Sequence, residues 1–125
     1  MSNPSRQDLK ARAFALSVWV FKLFPRLAAD SAAHAHVARQ LFRAVTAIGA
    51  LLEEGEVANS PRDMASKYAI ALREAREGKY WARVGASDPK WTEELTPIIQ
   101  ETGEFVAMLT VSVRKLRHLP PGTKR

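Results

Sequence analysis

Cysteine is absent from the 125 residues of this chain. Without thiols the chain can form no disulfide bond and offers neither a thiolate metal ligand nor a cysteine nucleophile. A cysteine-free chain suits a reducing compartment, so the cytoplasm is the expected location. Long apolar runs are also absent, because the longest uncharged stretches, such as residues 13–21, fall far short of the roughly 20 residues that span a bilayer. The sequence therefore predicts no membrane span and no export signal.

Sequence motifs for catalysis are missing as well. The chain has no Gly-x-Gly-x-x-Gly segment, no phosphate-binding loop and no serine in a nucleophile-elbow setting. No glutamate is followed three residues later by a histidine, as the metal site of a di-iron bundle requires. His34 and His36 are two positions apart and point to different sides of a helix, while His118 stands alone, so we expect no metal site.

Two pairs of glutamates could place an acid and a base on one helix face. They are Glu74 with Glu77, and Glu101 with Glu104. Arg73, Arg76 and Lys79 lie close to the first pair in sequence, which makes an ion-paired surface the better interpretation. We therefore expect that the chain is not an enzyme, with no catalytic residue and no cofactor.

The chain does contain an ordinary globular composition with a basic excess. Hydrophobic residues make up 46% and charged residues 26% of the sequence, so we expect it to fold, and its length suits one domain spanning residues 1–125. There are 19 basic and 13 acidic residues, and the pI is about 10.1. This balance favours polyanionic partners such as RNA or DNA, although a merely solvated basic surface is an open alternative.

Prolines and small polar residues divide the chain into four segments, each with the apolar period of a helix. The first starts with a capping pattern at Ser5 and should end near Phe24, because Pro25 disfavours continuation. Pro97 is expected to kink the last helix or to delay its regular part. The predicted helices span about residues 5–24, 31–54, 60–84 and 89–118. Four helices with short connections predict an all-α, up-and-down antiparallel four-helix bundle.

A helical wheel separates the third segment into three surfaces. The core surface consists of Met64, Tyr68, Ala71, Ala75, Gly78 and Ala82. The second, which we call the basic arc, consists of Arg62, Arg73, Arg76, Lys79 and Arg83. The third carries Ile70 and Trp81 beside three acidic residues. The wheel leaves Trp81 exposed, unless splay of the bundle buries it at an end.

The first segment has a similar apolar surplus. Beyond its core stripe it carries Phe14, Val18 and Phe21 on another surface. A helix in a monomeric bundle needs only one apolar stripe, so the surplus on the first and third helices indicates contact with another subunit or with a partner. The candidate residues for a subunit interface are therefore Phe14, Val18, Phe21, Ile70 and Trp81.

Helices two and three contain recognisable sequence blocks. These are Gln40-Leu41-Phe42-Arg43-Ala44-Val45-Thr46-Ala47-Ile48-Gly49-Ala50, Ser60-Pro61-Arg62-Asp63-Met64, Ile70-Ala71-Leu72-Arg73-Glu74-Ala75-Arg76-Glu77 and Tyr80-Trp81. They resemble blocks of the bacterial four-helix-bundle family named for proteins encoded in 23S ribosomal RNA intervening sequences. The resemblance extends from about Asp8 to Arg117. The chain departs from the family pattern at Ala47, where serine is usual, and at Leu51, where asparagine is usual.

The resemblance implies an up-and-down bundle that assembles into a homo-oligomeric ring, commonly a pentamer, with no known enzymatic activity. It names no substrate. A related branch contains accessory proteins of diversity-generating retroelements, which are basic pentameric bundles that bind nucleic acid and a reverse transcriptase. The similarity of this chain is to the general family.

Two functional hypotheses follow from these features. In the first, the protein is an oligomeric accessory that binds nucleic acid without sequence preference, because phosphate contacts supply affinity and not specificity. In the second, it is a protein-interaction scaffold whose basic residues only keep it soluble. The candidate phosphate contacts are Arg62, Arg73, Arg76, Lys79, Arg83, Arg114, Lys115 and Arg117.

Overall fold

The structure, a computed structural model, describes residues 6–120 and contains four helices in that range. The helices are α1 (Arg6–Asp30), α2 (Ala32–Glu56), α3 (Pro61–Ala86) and α4 (Pro89–Arg117). Each helix packs against the next in the chain, and side chains of α1 also reach α4. No strand occurs between residues 6 and 120. The predicted all-α, antiparallel four-helix bundle is confirmed.

Three helix starts are fixed by side chains that accept a backbone N–H. The Ser31 hydroxyl accepts from the amide of His34 at 3.1 Å, and the Ser60 hydroxyl accepts from the amide of Asp63 at 3.1 Å. Asp88 does the same for α4, accepting from the Lys90 amide at 3.0 Å. Each cap satisfies an N–H that has no partner inside the helix. The Ser5 cap expected for α1 lies outside the described residues.

The end of α1 differs from the prediction. The helix was expected to stop near Phe24, but it continues through Pro25 to Asp30. Proline removes the N–H that would bond to the carbonyl four residues earlier, which belongs to Phe21. Both Phe21 and Pro25 are exposed, so water can bind that carbonyl, and Leu27 continues the buried stripe one turn further. The burial of Leu27 therefore outweighs the tendency of Pro25 to end the helix.

Helix α4 likewise runs without interruption from Pro89 through Pro97 to Arg117. The expected delay of its regular part is wrong. Its first turn accommodates Pro89, whose missing N–H would have no helical partner there.

The core is the set of residues that the apolar periods of the four segments indicate. On α3 all six residues of the expected core surface are buried. Thr102 is buried too, and its hydroxyl donates to the carbonyl of Ile98 at 2.8 Å, so it adds no unpaired polar group to the core. Trp91 at the start of α4 is a buried residue that the periodicity does not indicate. Within residues 6–120, no helix combines the length and the apolar character that crossing a membrane requires.

Candidate nucleic-acid and subunit interfaces

The basic arc of α3 lies largely on the surface of the bundle. Arg62, Arg73, Arg76 and Arg83 are exposed, whereas Lys79 is half-buried. The Lys79 Nζ atom lies over α4, 3.6 Å from the point that a β-carbon at Gly103 would occupy. The arc therefore faces solvent along most of α3 and turns towards α4 at Lys79.

The acidic residues next to the basic arc are paired with another helix. Arg43 of α2 bonds to Glu77, and its Nη1 atom lies 3.2 Å from Oε2 of Glu74. The hydrogen bond from Arg43 lowers the pKa of Glu77 below its ordinary value, against an opposing effect of burial. The expected ion pairs of these glutamates do form, but with α2 and not with Arg73 or Arg76.

With Glu74 and Glu77 bound by Arg43, the basic arc has no acidic partner in the described part of the chain. Between residues 6 and 120, no carboxylate lies within ion-pair distance of Arg73, Arg76, Lys79 or Arg83. A surface of this kind attracts anions, because its charge is not neutralised inside the subunit.

A second basic group lies where α3 begins and α4 ends. Arg62 and Arg117 line the same cleft of about 640 Å³, together with Ser60 and Ser66. Arg114 and Lys115, the other candidate phosphate contacts of α4, occupy the last turn of that helix and are exposed. Cations in this position also stabilise the carboxyl end of a helix dipole. The eight predicted cations therefore form two groups at different heights on the bundle. Arg73, Arg76, Lys79 and Arg83 lie along α3, and Arg62, Arg114, Lys115 and Arg117 lie at the end where α3 begins and α4 ends.

The second glutamate pair is bound by α1. Arg12 places its Nη2 atom 2.6 Å from Oε1 of Glu101 and 3.3 Å from Oε1 of Glu104. Both glutamate pairs therefore have a guanidinium between their carboxylates, as an ion-paired surface requires, and each pair ties two helices together.

The third surface of α3 is partly covered by α2. Trp81 is half-buried, and its ring meets that of His36 edge to face, with 5.2 Å between centroids. Ile70 is also half-buried. The wheel left Trp81 exposed, whereas the structure places it between α2 and Tyr80, which it contacts at 5.3 Å. Much of the apolar surplus expected on α3 is therefore used within the subunit.

The apolar surplus of α1 is exposed. Phe14 and Phe21 expose 69% and 64% of their surface, and Val18 between them is half-buried. Phe21 lies 6.1 Å from Phe42 of α2, which also meets Phe24 at 5.7 Å. We call Phe14, Val18, Phe21 and Phe42 the aromatic seam, since they follow the junction of α1 and α2. Its two largely exposed phenylalanines give α1 an apolar surface that a partner or a second subunit could cover.

A polar cluster lies at the end of the bundle where α1 ends and α2 and α4 begin. The sequence did not indicate this cluster. The Nε2 atom of His34 lies 2.8 Å from Asp88 and 3.6 Å from Asp30. Asp30 accepts a hydrogen bond from the indole of Trp91 at 2.6 Å and from Lys90 at 3.1 Å. These bonds lower the pKa of Asp30 below its ordinary value of 3.8, and the amide of Lys90, followed by His34, lowers that of Asp88.

The cluster combines possible metal-ligand atoms with hydrogen bonds that link three helices. One atom each of Asp30, His34 and Asp88 lies within 4.8 Å of the other two, a spacing that a divalent cation could bridge. Both carboxylates already accept hydrogen bonds from Lys90, and Asp30 also from Trp91. Sequence reasoning missed this arrangement because Asp30 and Trp91 are separated by 61 positions. The cluster ties the junction of α1 and α2 to the start of α4.

Comparison with known proteins places this geometry in a family. The model of the family described as 23S rRNA-intervening sequence protein matches residues 6–111. A crystal structure of a protein with unknown function from the S23 ribosomal protein family of Bacteroides thetaiotaomicron is similar, with a TM-score of 0.77 and 25% sequence identity. The similarity covers 87% of this chain and 97% of that chain. No curated protein matches the chain. Because the family model matches most of the chain, including all of α2 and α3, this protein belongs to the 23S rRNA-intervening sequence protein family.

Proposed function

We propose that this protein is a non-enzymatic, oligomeric bundle that binds nucleic acid without sequence preference through the basic arc of α3. The observation that carries the proposal is the pairing of Glu74 and Glu77 with Arg43. Glu77, four residues after Arg73, is the carboxylate of α3 best placed to pair with that arginine, and it is bound by Arg43 of α2 instead. No acidic residue lies three or four positions from Arg76. The arginines are therefore available to an external anion.

Phosphate groups are the anions that best fit this surface. Exposed arginines on one helix face can each contact a backbone phosphate, and such contacts provide affinity without reading bases. The description of the matched family mentions 23S rRNA, and that of the similar crystal structure a ribosomal protein family. A role near RNA is in keeping with both descriptions.

Self-assembly is the second part of the proposal. The aromatic seam gives α1 and α2 an apolar surface that a second copy of the chain can cover. We propose a closed homo-oligomer, with a pentamer favoured over a dimer by the family resemblance. A ring repeats the basic arc once per subunit, so that weak phosphate contacts add up to a usable affinity.

The absence of catalysis is supported by the state of the carboxylates. Acid–base chemistry needs a carboxyl group with free access to substrate. Arg43 occupies the Glu74 and Glu77 pair, and Arg12 occupies the Glu101 and Glu104 pair. We also infer a cytoplasmic location from the cysteine-free sequence.

The test is the salt dependence of binding to an RNA and to a DNA duplex. Affinity should fall as salt rises, with a slope in logarithmic units of about −0.9 for each duplex phosphate contacted. The triple variant Arg73→Gln, Arg76→Gln, Arg83→Gln should bind more weakly and with a flatter slope. The matched control, Lys10→Gln, Lys22→Gln, Arg39→Gln, removes the same charge from α1 and α2 and should bind like the wild type.

Two results would reject the proposal. If the triple variant, still oligomeric by light scattering, retains RNA as well as the wild type at low salt, the basic arc is not the site. If neither protein retains nucleic acid, the function itself is rejected. The protein-interaction scaffold is then the better account, because the exposed aromatic seam would serve a protein partner or only the subunits themselves.

A further inference from the structure

Tyr80 is an exposed aromatic residue in the middle of the basic arc. It exposes 55% of its surface. Arg76 precedes it by four positions and Arg83 follows it by three, so both are its direct neighbours on the helix surface, about 5–6 Å away between β-carbons. Arg73 lies a further turn along the same side of α3. The Tyr80 ring therefore has one arginine about a turn before it and another about a turn after it along α3.

The Tyr80 ring is held by a chain of aromatic contacts that ends in the bundle. Its ring meets that of Trp81 edge to face, at 5.3 Å and 79°. Trp81 in turn meets His36 of α2 at 5.2 Å and 80°, and it packs against the core. Because these contacts restrict the ring before any ligand arrives, a ligand that stacks on it loses less conformational freedom.

An aromatic ring between phosphate-binding arginines is the combination that proteins use for single-stranded nucleic acid. Cations follow the backbone, and unpaired bases stack on the ring, which accepts any base because every base has a π-face. Bases inside a duplex are stacked on each other and present only their edges. A side chain on the outside of a helix bundle can stack on a base of a single strand without first unstacking a duplex, which costs a few kcal/mol per step.

We propose that the basic arc binds single-stranded RNA or DNA, with one base stacked on Tyr80 and the neighbouring phosphates bound by Arg73, Arg76 and Arg83. This inference rests on the proposed function and specifies its ligand. Arg73 and Arg83 are ten positions apart, so the three arginines extend along about 15 Å of helix. Val84, one turn after Tyr80 and also exposed, adds an apolar contact for the adjacent base.

The test compares short single strands with a duplex. Fluorescence anisotropy with labelled eight-nucleotide RNA and DNA strands reports one arc, because such strands are too short to link several subunits. Tyr80→Ala should weaken binding of both strands by at least fivefold, the lower end of the roughly 5- to 150-fold range that corresponds to the loss of one stacked base. Its affinity for a duplex should change less than twofold. Tyr80→Phe keeps the ring and should bind single strands within twofold of the wild type.

Each other outcome has a defined meaning. If Tyr80→Ala binds single strands like the wild type while the triple arginine variant loses them, stacking is wrong and the proposed function stands. Equal loss on single strands and duplex also overturns the stacking inference. If light scattering shows that Tyr80→Ala dissociates the oligomer, Tyr80 is a subunit contact and the inference fails. If the wild type binds neither strand nor duplex, both the inference and the proposed function fail.

Discussion

Arg43 determines the charge of the α3 surface although it lies on α2. It forms ion pairs with both Glu74 and Glu77, which offsets one of their two negative charges and engages both carboxylates with α2. The sequence indicates the arginines of the arc, since their spacing follows the helical period. It does not indicate their unpaired state, because pairing across helices depends on the rotation of α2 relative to α3. The candidate site was thus predictable residue by residue, but its electrostatics was not.

The same limit applies to the aromatic residues. Phe14 and Phe21 were correctly expected to be exposed, since their helix has its buried stripe on another side. For Trp81 the sequence left both exposure and burial by splay of the bundle open, because the wheel of one helix contains no information about His36 on the next. The structure half-buries Trp81. A large residue near the edge of a stripe can be assigned only when its neighbouring helix is known.

The polar cluster predicts how stability depends on pH. The pKa of Asp30 is lowered in the folded protein by hydrogen bonds from Trp91 and Lys90. A carboxyl group with a depressed folded pKa stabilises the protein above its unfolded pKa, and that contribution disappears as pH falls through the folded pKa. Asp30→Asn should therefore be less stable than the wild type at pH 7, and the difference should shrink below about pH 4, near the ordinary pKa of Asp.

Urea unfolding at a series of pH values measures this difference. Glu53→Gln removes one exposed carboxylate from α2 and serves as the control for a simple change of net charge. A difference between Asp30→Asn and the wild type that stays constant from pH 7 to pH 3 would contradict the assignment.

Among the elements, α1 shows where local rules and tertiary burial compete. A proline usually ends a helix because it removes one bond and clashes with the preceding turn. In α1 that cost falls on the exposed side, while Leu27 and Asp30 gain buried or hydrogen-bonded positions beyond it. The starts of α2, α3 and α4 were predicted correctly, because a cap acts within three residues of its own position. The starts of these helices are therefore determined by local sequence, whereas the end of α1 depends on tertiary packing.

Packing between α2 and α3 predicts opposite effects for two glycines. A β-carbon at Gly78 would meet Ala44, Val45 and Thr102 at 3.6 Å, which is ordinary contact. A β-carbon at Gly55 would lie 2.6 Å from the ring of Tyr68, which is rigid and buried.

Gly78→Ala should therefore raise the free energy of unfolding by about 0.5–1 kcal/mol, the difference in helix propensity between the two residues. Gly55→Ala should lower it by about 1–3 kcal/mol, as expected for overpacking. Chemical denaturation of both variants checks the prediction. If Gly55→Ala instead raises the free energy of unfolding and Gly78→Ala lowers it, the prediction is wrong and the bundle adjusts more freely at Tyr68 than around Gly78.

At the scale of the whole molecule, the aromatic seam predicts the assembly state. Phe14→Ser with Phe21→Ser should convert the oligomer to smaller species, because it removes the two most exposed large apolar side chains of α1. Val57→Ser with Val111→Ser removes exposed apolar residues elsewhere and should leave assembly unchanged. Light scattering at tens of micromolar protein measures the mass in each case. A monomeric wild type would show that the seam has another partner.

The polar cluster also makes the two ends of the bundle different. At one end, Asp30, His34 and Trp91 bring the junction of α1 and α2 to the start of α4. At the other end, the start of α3 and the end of α4 form the open cleft lined by Arg62 and Arg117. In the proposed ring, cyclic symmetry would point all subunits the same way, so a ring with the bundle axis along its own axis would have two unlike rims. A polyanion lying across the open rim would meet every copy of the cleft at once, whereas the opposite rim offers it only closed helix junctions.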